Sequence, residues 1–180
     1  MSTQSEFAES ADSCAPVGAL VFLRGNQGAD LAEIHSSLSQ EEGVIDSNPV
    51  LGNWNIVLRL VAKNRESLSR LIEKQILSLK NVAEMETHYC EETPAEEKPG
   101  VGNEPGAATY AILDVDSDKV KGLSIQFKEM PDVTRYDVTD SGRQIILKLA
   151  GKSTGEIRNI LSSRIRMLPG VLRIKQLHIL

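Results

Sequence analysis

The sequence predicts an α+β fold: two tandem ferredoxin-like βαββαβ units, each a four-stranded antiparallel sheet with two helices on one face. Three observations carry this. First, Leu51–Tyr89 lies on Asp140–His178 at an offset of 89 residues without a gap; Leu60 meets Leu149, Leu71 meets Ile160, Ile76 meets Ile165 and Val82 meets Val171. Second, both copies alternate apolar and polar residues where strands are due and place apolar residues at helical spacing between them. Third, the stretch between the copies is rich in proline, glycine and glutamate, a composition that does not pack.

In the first copy, VGALVFLR (17–24) is apolar enough for a strand, and GADLAEIHSSLSQ (28–40) sets Leu31, Ile34 and Leu38 on one helical face. GVIDSNPVL follows as a strand that Pro49 pushes toward an edge or a bulge. NWNIVLRLVA alternates well. Asn64 suits the N-cap of a helix running to Leu79, with Leu68, Leu71, Ile72, Gln75, Ile76 and Leu79 along one face. NVAEMETHY closes the unit. In the second copy the same order is ATYAILDV, a helix capped by Ser117, DVTRYDVTD, GRQIILKLAG, a helix stopped by Pro169 and Gly170, and VLRIKQLHIL. The organisation expected is a flexible tail at 1–16, a first unit at 17–90, an acidic linker at 91–107 and a second unit at 108–180.

Hydrophobic residues, 41% of 180, suffice for packed cores, and no apolar run approaches the ~20 residues of a membrane span. The start of the chain is polar and acidic, without the basic and apolar segments of a secretory signal, so a cytoplasmic location is expected. Cys14 and Cys90 make no disulfide framework. Net charge is −3 over 1–16, −2 over 17–90, −4 over 91–107 and +4 over 108–180. A nucleic-acid surface carries a denser basic patch than the second unit shows.

The run Gly52-Asn53-Trp54-Asn55 before an apolar strand, with second helices ending LSLKNV and RMLPGV, resembles the effector-binding domain of the Lrp/AsnC transcription regulators. The family pattern has an aspartate where Asn55 stands, and the matching stretch in the second copy, Asp140-Ser141-Gly142-Arg143, lacks the aromatic residue. Only 16 residues precede the first strand, too few for the family's helix-turn-helix, so specific DNA binding is not expected. The resemblance implies a ligand-sensing or assembly module, pairing of units through their sheets, and an amino-acid-like ligand near the turn between the second and third strands. The ligand-binding candidates are therefore Gly52, Asn53, Trp54, Asn55, Asp140, Ser141 and Gly142. Such turns expose backbone N–H groups that can hold a carboxylate, and Asp140 can hold an ammonium. The same residues also suit plain hairpin turns.

Two further resemblances stay open. Signal-peptide-binding chaperones of periplasmic nitrate reductase share the βαββαβ order, and the acidic tail and linker suit a basic peptide. Lrp-like sirohaem decarboxylases are the enzymatic alternative. No catalytic constellation, cofactor site or metal site is legible. His88 and Cys90 share a strand face but lack further ligands, and GKSTGE lacks the earlier glycine of a phosphate loop.

Strand alternation gives one more expectation. Glu84, Glu86 and His88 share the outer face of the first sheet, opposite Arg173, Lys175 and Leu177 of the second, with Val57 and Ile146 as apolar contacts. The two copies then pair within one chain, with opposite charges at equivalent positions.

Overall fold

The computed structural model describes residues 15–92, 97–98 and 106–180. Residues 1–14 and most of the linker, expected to be flexible, lie outside the described residues. The first copy runs β1 (Val17–Gly25), α1 (Leu31–Leu38), β2 (Val44–Leu51), β3 (Ile56–Ala62), α2 (Arg65–Leu71) and β4 (Val82–Tyr89). The second runs β5 (Ala107–Val115), α3 (Val120–Glu129), β6 (Val133–Thr139), β7 (Gln144–Gly151), α4 (Thr154–Asn159) and β8 (Val171–Ile179).

Local chemistry starts each helix. Asp30 caps α1 by accepting from the N–H groups of Ala32 and Glu33, and Asn64 caps α2 by accepting from Ser67. Ser153, within the phosphate-loop-like letters, caps α4 through Glu156 N–H. Ahead of α3, Asp116 rather than Ser117 caps a short 3₁₀ turn. Both second helices widen into a π-helical turn, Ile72–Ile76 and Ile160–Ile165, at the same place in the repeat.

All eight strands join one sheet in the order β4-β1-β3-β2-β8-β5-β7-β6. The copies meet along β2 and β8 through Val50↔Ile179 and Leu51↔His178. The two ends of the sheet also meet: Cys90 bridges Thr139, and Glu91 N–H donates to Val138 O at 2.8 Å. The sheet therefore closes into a barrel, which removes the exposed edges a lone four-stranded sheet would leave. Each unit keeps a core between its sheet and its helices, around Leu58, Leu60 and Leu68 in the first and Leu147, Leu149 and Phe127 in the second. A third core fills the space between the sheets with Leu20, Phe22, Val50, Val57, Tyr110, Ile112, Ile146 and Leu177.

The copies thus pair sheet to sheet, and Val57, Ile146 and Leu177 lie in the contact. The charges expected to join them do not. Glu84 pairs with Arg24 of its own unit, Glu86 lies 2.9 Å from His88, and Arg173 and Lys175 are exposed. β4 and β8 are not neighbours in the sheet, and Glu84, Glu86, Arg173 and Lys175 all lie at exposed positions on them, outside the packed contact between the copies.

Charge divergence appears instead on β2 and β6. Asp46 and Arg135 hold the same place in the two copies, and Arg135 Nη1 lies 3.3 Å from Asp46 Oδ2. Lys148 Nζ reaches the same oxygen at 2.9 Å. Arg59, the first copy's counterpart of Lys148, meets Asp137 Oδ1 at 3.3 Å, and Arg135 Nε meets Asp137 Oδ2 at 3.1 Å. Tyr110, fully buried beside them, accepts from Asn48 Nδ2 at 3.0 Å. Burial pushes the Asp46 carboxyl up, but Lys148 and Arg135 outweigh it and hold the group below its ordinary range. Burial and the Asp137 carboxylate push the Cys90 thiol up to about 12 against the nearby arginines, so it stays protonated.

Removing one member of a buried pair strands the other without water. Asp137→Asn leaves two buried guanidinium groups short of a carboxylate, and a loss of about 3–5 kcal/mol is expected in urea unfolding. A loss under about 1 kcal/mol, the surface-pair range, would show that the cluster is solvated.

Candidate functional site

The barrel has two seams, related by the internal repeat, where the turn after the second strand of one copy meets the last strand of the other. They begin alike. Val50↔Ile179 corresponds to Thr139↔Cys90, and the Leu180 N–H to Pro49 O bond (3.0 Å) corresponds to Glu91 N–H to Val138 O. They then diverge. At the β2–β8 seam the ladder gains one more pair, Leu51↔His178. At the other seam the equivalent residue, Asp140, turns to φ 51° and Ser141 to φ 53°, so the backbone leaves β4. Left-handed backbone at two successive non-glycine residues is uncommon, and it costs free energy that the surroundings must offset. Part of the offset is visible: Ser141 N–H donates to Glu91 Oε1 at 2.8 Å.

The departure opens a cavity of about 470 Å³. Glu86, Thr87, His88 and Tyr89 of β4 form one wall, with Glu91 just beyond. Asp140, Ser141 and Gln144 form the facing wall, and Arg65 stands at the rim from the first turn of α2. The Arg65 guanidinium sits 3.8 Å over the Tyr89 ring, a cation–π contact that orients it. His88 packs on Phe22 with ring centroids 4.8 Å apart, which ties the cavity wall to the inter-sheet core. Burial pulls the His88 pKa below its ordinary 6.5, against the opposing pull of Glu86 and Asp140. The imidazole is therefore neutral at neutral pH. One cation, three carboxylates, a neutral imidazole and an amide can hold a small polar molecule by charge and hydrogen bonds.

The other seam is closed. The counterparts of His88, Asp140, Glu91 and Arg65 are Leu177, Leu51, Leu180 and Thr154. Gly52 has φ +140°, and a Cβ there would stand 2.9 Å from the Leu177 methyl group. Asn53 is exposed, and Trp54 packs on the inter-sheet core 6.1 Å from Phe22. Asn55 clips β1 to β3: its Oδ1 accepts from Gly25 N–H at 3.0 Å and its N–H donates to Leu23 O at 2.8 Å. Of the seven ligand-binding candidates, the structure brings Asp140 and Ser141 to the cavity, with Gly142 next in the turn, while Gly52–Asn55 line the closed seam. Sequence reasoning missed Arg65, Glu91 and Gln144. For Glu91 the signal available was divergence, since Leu180 stands at its place in the other copy, whereas Arg65 and Gln144 fall on the polar Thr154 and Asn55 and are not marked in that way. Among the described residues no group of three or more His, Cys, Asp or Glu side chains is arranged to hold a metal ion. No helix among them is long and apolar enough to cross a membrane.

A depressed histidine pKa gives stability that is fully present above the ordinary value and is lost as pH falls through the folded one. Thermal unfolding of the natural chain should therefore weaken more between pH 7 and 5 than that of His88→Gln. Equal slopes would contradict the buried, neutral imidazole.

Residues 18–99 match the family model described as the Lrp/AsnC ligand binding domain. No curated protein sequence matches the chain. Among solved structures, the sirohaem decarboxylase NirDL is 11% identical and aligns over 91% of this chain and 71% of its own, with a TM-score of 0.63. FN1347 of Fusobacterium nucleatum, a candidate monooxygenase, is 10% identical over 92% of both chains, with a TM-score of 0.61. PH0061 is 23% identical over 45% of this chain and spans 55% of its own length, with a TM-score of 0.41. The two long alignments show that the whole tandem fold recurs; at these identities the likeness is one of fold alone.

Proposed function

We propose that the chain, whose residues 18–99 match the Lrp/AsnC ligand binding domain model, is a non-catalytic small-ligand-sensing module, with one site per chain in the cavity between β4 and the β6–β7 turn. The observation that carries this is the asymmetry of the seams. The repeat offers two equivalent places: at one the ladder continues and Leu177 is buried against Gly52, and at the other the chain opens a cavity at the expense of left-handed backbone at Asp140 and Ser141. A ligand in the open seam touches β4 of the first copy and the turn of the second, so it binds the two copies together.

The charge arrangement favours an amino-acid-like ligand. Arg65 offers a guanidinium to a carboxylate. Asp140 and Glu86 offer carboxylates to an ammonium, while Glu91 is engaged by Ser141 N–H. The enzymatic reading draws support from the fold shared with NirDL and FN1347 along most of this chain. It is weaker because the space between the sheets is packed with Phe22, Tyr110, Ile112 and Ile146, which leaves no slot there for a large planar cofactor.

Isothermal titration with the twenty amino acids is the test, with a twin-arginine peptide as a control. One or a few amino acids should bind at one per chain. Arg65→Ala and Asp140→Ala should each weaken binding at least tenfold, about 1.4 kcal/mol, while Asn53→Ala should not. Binding lost through Asn53 rather than Asp140 would overturn the site, and binding of the peptide alone would favour the chaperone.

A further inference from the structure

Two described residues of the segment between the copies, Glu97 and Lys98, reach the barrel. Lys98 N–H donates to Thr134 O at 2.8 Å, and Lys98 Nζ donates to the carbonyls of Lys128 (2.9 Å) and Met130 (3.1 Å) at the end of α3. A cation at helix-terminal carbonyls is a favourable anchor. It sets Glu97 against the buried charge cluster. Glu97 Oε1 lies 3.0 Å from Lys148 Nζ, Oε2 lies 3.3 Å from Arg135 Nη1, and Thr134 Oγ1 stands 3.4 Å from Oε1.

Three features mark this place as a carboxylate cradle. Its donors sit on paired strands β6 and β7, so they are held in position without Glu97. The Arg135 side chain is 1% exposed and that of Lys148 12%, whereas Glu97 remains 36% exposed; the acid alone is on the open side. The two cations that meet Glu97, Arg135 and Lys148, are both held from the other side by Asp46, so a carboxylate in the place of Glu97 faces two fixed donors at once. Arg135 Nη2, moreover, is buried without a hydrogen-bond partner among the described residues, a spare donor on the same planar fork.

We propose that this cradle is a binding site for a small organic carboxylate, and that Glu97 occupies it as a tethered internal ligand. A planar group with two oxygens on two donors matches the cradle; a spherical halide does not reproduce that pattern. The site is separate from the seam cavity, since Arg135 lies about 15 Å along β6 from Asp140. A tethered acid competes at an effective concentration on the order of millimolar. An external carboxylate therefore binds weakly until Glu97 is removed or released.

The test is titration with sodium acetate against sodium chloride at equal ionic strength, followed by heat of binding and by thermal shift. Glu97→Gln should bind acetate at least tenfold more tightly than the natural chain. Lys98→Ala, which keeps Glu97 but loosens its anchor, should move affinity in the same direction. Adding Lys148→Gln to Glu97→Gln should remove the gain. The proposal is overturned if folded Glu97→Gln or Lys98→Ala shows no acetate-dependent gain, if chloride produces the same gain, or if it persists without Lys148.

Discussion

The ion cluster between the sheets is the constraint on which the rest depends. Asp46 and Arg135 are one position of one repeat, carrying opposite charges. Two identical chains would place two acids or two guanidinium groups there, at a buried site where like charges are costly. Duplication within one chain removes that restriction. The β2 position is acidic, the β6 position basic, and Lys148, Arg59 and Asp137 join them in the cluster. Buried ion pairs are weak sources of net stability, and their better-attested role is to select one arrangement over others. Here the arrangement selected is this chain's first copy against its own second copy.

Once the sheets are joined in that register, the seams follow. Each copy sends a turn against the last strand of the other, and each seam starts with the same bridge and the same backbone hydrogen bond. What differs is side-chain chemistry. At one seam Leu177 is buried against Gly52 and the ladder continues to Leu51↔His178. At the other, Asp140, His88 and Glu91 coincide with the ladder's early end and the cavity. A symmetric pair of single-copy chains would carry two like seams; the tandem chain assigns one to closure and one to a polar pocket.

The order of elements was legible because apolar spacing reports local structure, and caps such as Asn64 report helix starts. Sheet pairing was legible from alternation: the outward residues Val57, Ile146 and Leu177 are the ones buried between the copies. The partners of the charges were not. Alternation tells which face Glu84 and Arg173 share with their strand, but not which strand stands opposite, because that depends on the order in which eight strands close. The turn at Asp140-Ser141-Gly142 read as an eroded copy of Gly52-Asn53-Trp54-Asn55, whereas in the structure it is the open one. A motif reports backbone shape, and whether the shape leaves a cavity depends on the strand it meets, more than 50 residues away in the chain.

The central claim is that the two copies form one barrel held by a buried charge cluster, and coincidence of their unfolding tests it most directly. Trp54, the single tryptophan, reports on the first copy by fluorescence. Hydrogen exchange of peptides from β5, β6 and β7, read in the same urea series, reports on the second. One shared midpoint is the predicted result. Two separated midpoints, with the second copy keeping its protection after Trp54 is exposed, would contradict the account.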